Sequence, residues 1–169
     1  MKLDIGCGKR KKEGFTGLDA IPFEGVDIVH DARVAPWPIE SGSVEEVYCS
    51  NFLEHLTGEE RVGFFNELFR VMQVGGRAEI RAPHWSHEAA YGDPTHKWPP
   101  ISGWTFIYLN KEWRDVNAPH VGYECDFDWS NAGMWDQWLA ARNDETKIFA
   151  MGHYTNSQRE IIATLIKRG

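Results

Sequence analysis

Short apolar runs dominate the first half of the chain and predict strands at KLDIG (2–6), TGLDA (16–20), VDIVH (26–30), EEVYCS (45–50) and GRAEIRAP (76–83). Between the last two the period changes. Val62, Phe65, Phe69 and Met72 repeat at helical spacing, Thr57 and Glu60 form a capping-box pair before them, and Gly75-Gly76 stops the run, so a helix is predicted there. YECDFDW (123–129) alternates strictly, with Tyr123, Cys125, Phe127 and Trp129 on one face and acids on the other, as in a half-exposed antiparallel strand. REIIATLIK, rich in β-branched residues, predicts a closing strand, and Met134–Leu139 and Thr146–Met151 predict helices. Strands alternating with helical segments indicate an open α/β sheet.

With 169 residues, 42% hydrophobic and 25% charged, the chain is expected to form one domain over 1–169. It contains no apolar run of transmembrane length, and Asp4 and the early glycines interrupt any signal-peptide core, so a cytoplasmic protein with no membrane partner is expected. The three widely spaced cysteines, Cys7, Cys49 and Cys125, suit reduced packing residues better than a disulfide framework or zinc ribbon. A net charge of −7, with Lys9-Arg10-Lys11-Lys12 the one basic run, argues against a broad nucleic-acid footprint. Most of the eight tryptophans lie between Trp85 and Trp138, which points to an aromatic surface or pocket in the second half.

Ligands of doubly wound sheets sit beyond the carboxyl ends of the strands, where the first strand–loop turn offers its backbone. Asp4, Gly6 and Gly8 occupy that turn. Asp19, ending the second strand, is positioned to accept hydrogen bonds from ribose hydroxyls. Asp31 and Ala32, after the third strand, can frame an adenine through a carboxylate and a backbone N–H. Together they describe a nucleoside site. A dinucleotide fingerprint would need a third glycine at position 11, which is lysine.

In order, LDIGCG, GLDA, VDIVHDA, SVEEVYCSNFLEHL and RVMQVGGRAEIRAP resemble the motifs of class I S-adenosylmethionine-dependent methyltransferases, over roughly residues 2–83. The likeness extends to a small branch with "LEH" after strand four and "DPTH" after strand five. It implies a Rossmann-like, doubly wound, seven-stranded sheet, mostly parallel with an antiparallel last strand. It also implies S-adenosyl-L-methionine as cofactor, held by Asp4, Gly6, Cys7, Gly8, Asp19, Asp31, Ala32, Ser50 and His55. Two departures carry expectations of their own. Residues 9–15 are too few for a full crossover helix, so the first helix is expected to shrink to about a turn. The chain starts inside the first strand, so substrate is expected to be held without N-terminal helices.

Residues 84–120 are the candidate lid, since long loops at this edge are commonly binding loops. Trp85, Tyr91 and Trp98 are expected to line an acceptor pocket. His84 and His96 are the candidate bases, with Asp93 as an orienting partner, should the acceptor carry a proton to lose. The acceptor itself, a small molecule or a macromolecule, is not specified, and neither is the oligomeric state. SNFLEHL stands where DNA amino-methyltransferases carry a polar residue followed by Pro-Pro-aromatic, which disfavours DNA base methylation. Glu54 and His55, with His84 and His87, offer metal-ligand chemistry similar to part of the site in small-RNA 2′-O-methyltransferases. The acidic position three residues before Glu54 is Asn51, so no metal is expected, and a metal-assisted reaction is the competing expectation. The same residues also admit a non-catalytic S-adenosylmethionine-binding module, or a metal-dependent hydrolase that would leave the first loop and Asp19 unexplained.

Overall fold

A computed structural model describes residues 1–169. The elements run β1 (Lys2–Ile5), β2 (Thr16–Asp19), β3 (Ile28–Val29), β4 (Val44–Ser50), α1 (Gly58–Val71), β5 (Met72–Pro83), α2 (Gly103–Ile107), α3 (Lys111–Asn117), β6 (Phe127–Trp135), α4 (Gln137–Ala140), α5 (Asp144–His153) and β7 (Gln158–Lys167), with 3-10 turns at Leu53–His55 and Glu88–Ala90. The seven strands form one sheet in the order β3-β2-β1-β4-β5-β7-β6. β1 to β5 pair in parallel, and β7 lies antiparallel between β5 and β6. The order reverses between β1 and β4, which puts the topological switch point at the carboxyl ends of those two strands. None of the helices is long and apolar enough to cross a membrane.

The helix after β4 forms for the reasons its sequence predicts. Thr57 Oγ1 accepts from the Glu60 N–H while Glu60 Oε2 accepts from the Thr57 N–H at 2.7 Å, which closes the capping box. Its Phe64, Phe65, Leu68 and Val71 pack in one core with Leu3, Ile5, Val47, Cys49, Ala78, Ile80, Ala163 and Leu165 of the sheet. Met72 departs from the helical pattern and begins β5, with its side chain buried.

The opposite face of the sheet is built differently. Residues 6–15, 20–27 and 30–43 contain no helix, and the first helix is reduced, as expected, to turns closed by the Arg10 N–H on the Cys7 carbonyl and the Phe15 N–H on the Lys12 carbonyl. The short first loop instead lies directly over β2: a Cβ on Gly17 would meet Cys7 Sγ at 2.8 Å and Lys11 Cδ at 2.7 Å. Farther along the same face, Glu46 faces Arg77 and Tyr48 faces Glu79 in register. Charge satisfies this surface: Lys2 pairs with Glu46 at 2.7 Å, Glu79 takes Arg81 at 2.8 Å, and the Lys12 ammonium stands 4.2 Å from the Tyr48 ring centre.

Two predicted elements differ. Met134 and Trp135 belong to β6, because pairing with Glu160 and Gln158 of β7 outweighs local helix propensity. Tyr123 to Asp126 precede β6 rather than joining it, since the Glu124 and Cys125 N–H groups are taken by Asn66 Oδ1 of α1.

Candidate functional site

The first loop is held open by its own acids. Asp4, 2% exposed at the centre of β1, accepts the Lys12 N–H at 2.7 Å, and burial raises its pKa against the pull of Lys12. Asp19 accepts the Gly8 N–H through one oxygen and the Ile21 N–H through the other, both at 2.9 Å. Its carboxylate is thus fixed in orientation, with lone pairs left for further donors. Gly6 has φ +67°, and a Cβ there would meet the Phe52 ring at 2.6 Å, so only glycine lets this backbone pass beneath Phe52.

Around Gly6 two cavities meet. One, of about 280 Å³, is walled by Asp19, His30, Asp31, Ala32, Phe52 and His55 among others. The other, of about 650 Å³, takes in Asp4, Cys7, Gly8, Tyr48 and Ser50. Gly6 and Asn51 line both. Each of the nine residues expected to hold a nucleoside cofactor lines one or other of these adjoining cavities, in the depression at the switch point. Within it, the Ala32 N–H is engaged by no acceptor of the chain. Asp31 is already engaged by its neighbour: Arg33 donates to both its oxygens through Nε and Nη2 and lowers its pKa.

The turn after β4 meets the 84–120 segment at the same edge. Lys97 N–H donates to the Glu54 carbonyl at 2.8 Å, and Arg61 Nη1 donates to the Pro99 carbonyl at 2.6 Å. Thr95 Oγ1 lies 2.6 Å from Asp93 Oδ1 and 3.0 Å from His55 Nδ1. The His55 and His96 rings stand edge to face, 5.0 Å apart. Glu54, beneath them, is 5% exposed; burial pushes its carboxyl up to about 7 against the opposing influence of His96 and Arg61. Glu54 Oε2 and Arg61 Nη2 are buried without hydrogen-bond partners.

The candidate bases separate. His96 lines a cavity of about 200 Å³ with Tyr91, Asp93, Trp98 and Pro100, and its Nε2 lies 4.0 Å from Asp93 Oδ2. His84 is not brought to any of these cavities. It is 4% exposed, its Nδ1 lies 2.8 Å from Ser86 Oγ, which in turn reaches Ser157, and burial pushes its pKa down to about 4. His84 is thus enclosed and hydrogen-bonded within the chain, apart from the cavity that holds His96, and the two expected bases are not brought together. Trp85 likewise stands outside the Tyr91–Trp98 cavity.

Sequence reasoning missed Asn51 and Thr95. Asn51 has φ +52°, a conformation that asparagine tolerates better than most residues, and its position after an apolar strand was the available signal. Nothing local marks Thr95 as the link between Asp93 and His55.

No family model and no curated protein matches the chain. Its fold does match solved structures. A SAM-dependent methyltransferase from Archaeoglobus fulgidus superposes with TM-score 0.71 at 18% identity, over 98% of this chain and 85% of the other. Geranyl diphosphate C-methyltransferase from Streptomyces coelicolor A3(2), in complex with Mg2+, geranyl diphosphate and S-adenosyl-L-homocysteine, gives 0.57 at 13% identity over 98% and 71%. Phosphoethanolamine N-methyltransferase 2 of Haemonchus contortus, in complex with S-adenosyl-L-methionine, gives 0.54 at 15% over 99% and 48%. The chain has the Rossmann-like fold of S-adenosylmethionine-dependent methyltransferases.

Proposed function

We propose that the protein binds S-adenosyl-L-methionine in the depression around Gly6 and transfers its methyl group to an oxygen or nitrogen atom of an acceptor seated beneath residues 91–100. The observation that carries this reading is the convergence on one cavity of a fixed carboxylate at the end of β2, an unengaged N–H at Ala32 and a glycine backbone free to approach a ligand. Asp19 would accept from both ribose hydroxyls, the Ala32 N–H would donate to a ring nitrogen of adenine, and Ser50, Asn51 and Cys7 would border the amino-acid end. When bound, the sulfonium supplies an electrophilic methyl carbon, which the acceptor attacks in line as the carbon–sulfur bond breaks. The protein's own work is alignment and exclusion of water.

Tyr91, Trp98 and Pro100 give the acceptor cavity apolar walls, and His96 gives it an imidazole beside an acid. Such a cavity suits a small molecule or a single group of a larger one better than a DNA base held by a basic surface, which agrees with the net charge of −7. Calorimetry with S-adenosyl-L-methionine and S-adenosyl-L-homocysteine tests the cofactor, and a screen of methyl acceptors with radiolabelled donor tests the chemistry. Saturable binding of both nucleosides is expected; failure of either to bind would remove the reading. Binding without transfer to any acceptor would favour the non-catalytic module.

A further inference from the structure

We infer that Glu54, His55 and His96 form a binding site for one divalent first-row transition cation, on the wall between the nucleoside cavity and the Tyr91–Trp98 cavity. One ligand atom from each lies within 4.8 Å of the others. Hydrogen bonds to the far sides of the rings argue that this is more than proximity. His96 Nδ1 lies 3.2 Å from the Ala90 carbonyl, which can only accept, so Nδ1 carries the proton and Nε2 the lone pair. The Thr95 hydroxyl donates to Asp93 at 2.6 Å and so accepts from His55 Nδ1–H at 3.0 Å, which leaves the His55 Nε2 lone pair bare as well. Metal-ligating histidines are oriented in this way, by an acceptor on the other ring nitrogen.

The third ligand is a carboxylate oxygen of Glu54, a buried side chain whose Oε2 has no partner in the chain. An unpaired buried carboxylate oxygen is costly, and a cation at this point relieves it. Two imidazoles and one carboxylate favour Zn2+, Co2+, Mn2+ or Fe2+ over Mg2+ or Ca2+ and leave coordination positions open. Bonds of about 2.1 Å hold ligand atoms roughly 3.4 Å apart, so binding draws in any pair that now stands farther apart. This site differs from the ligand set read from sequence, because His84 and His87 are elsewhere and His96 takes their place. It commits both Nε2 atoms to the ion, so His96 then acts as a ligand and not as a free base.

Tag-free full-length protein, stripped with chelator, would be titrated with Co2+ and followed by its visible absorption, then with Zn2+ by calorimetry, in the absence of cofactor. Binding of one ion per chain at micromolar concentration or below is expected. Glu54→Gln and His96→Asn should each weaken it at least 100-fold, Thr95→Val about 10-fold through loss of the ring anchor, and His84→Asn should leave it unchanged. If Glu54→Gln does not fold, His96→Asn, on a surface segment, carries the test. No saturable binding up to millimolar Co2+, binding indifferent to Glu54→Gln and His96→Asn, or preference for Mg2+ would each overturn the inference. Because the readout is the ion itself, failure here leaves the methyl-transfer reading standing, and loss of cofactor binding leaves this one standing.

Discussion

Asp19 anchors the first loop and would also meet the ribose, so replacing it must be designed to separate the two. In Asp19→Ala the Gly8 and Ile21 N–H groups lose their acceptor, but both are partly open to water, so the stability cost is about 1 kcal/mol. Two charge-assisted bonds to ribose hydroxyls are together worth about 2–4 kcal/mol, which raises the Kd for S-adenosyl-L-homocysteine about 30- to 700-fold. Asp27→Ala is the matched control. Asp27 accepts from the Gly17 N–H and from Lys11 of the same loop, each at 2.7 Å, yet lies outside both cavities. It should lower the melting temperature and leave affinity within about threefold, which is below 1 kcal/mol. Calorimetry and thermal melting on the two variants read both quantities. Equal affinity losses in the two would mean that the loop, not the carboxylate, governs binding; undiminished affinity in Asp19→Ala would refute the nucleoside assignment.

Gly6→Val puts a side chain where a Cβ already lies 2.6 Å from the Phe52 ring, on a backbone with φ +67°; the variant should melt lower and gain no thermal stability from cofactor, and a normal cofactor-induced shift would count against the assignment. His96→Ala should leave cofactor affinity unchanged and reduce turnover about 100-fold or more; full activity would exclude His96 from the chemistry. His84 supplies a pH test. Its folded-state pKa of about 4 lies below the unfolded value of 6.5, so the unfolded chain takes up a proton first and stability is lost as pH falls from 6.5 towards 4. Between pH 7.5 and 5 this amounts to about 2 kcal/mol, which denaturant melts of His84→Asn should lack; parallel pH profiles for the two proteins would show that burial does not hold this imidazole neutral.

The strands around the switch point were legible because each carries a local signature: an apolar run closed by Gly6, Asp19 or Ser50. The reduction of the first helix to turns was legible, since spacing over residues 9–15 bounded its length, whereas the packing of Cys7 and Lys11 onto Gly17 is a tertiary fact. Where distant partners decide, the local pattern misled. Met134 and Trp135 follow β7, and the N–H groups of Glu124 and Cys125 follow Asn66. The histidines show the same limit at the site. His84 and His96 are chemically equivalent in sequence, and what separates them is a serine pair reaching to Ser157 on one side and the ring of His55 on the other.

The charged face of the sheet bears on how far such a sequence can drift. Along β4 and β5 every second position, Glu46, Tyr48, Arg77, Glu79 and Arg81, answers to water and to its cross-strand neighbour, while the residues between them, Val47, Cys49, Ala78 and Ile80, answer to a close-packed core. Exposed ion pairs are worth little individually and can be exchanged for other pairs, so the charged members of the first set are free to vary where the second set is not, while Tyr48 is tied to the cavity it lines. The charged positions along these two strands can therefore diverge without disturbing the core, and the fold persists at the 13–18% identity it shares with its structural neighbours.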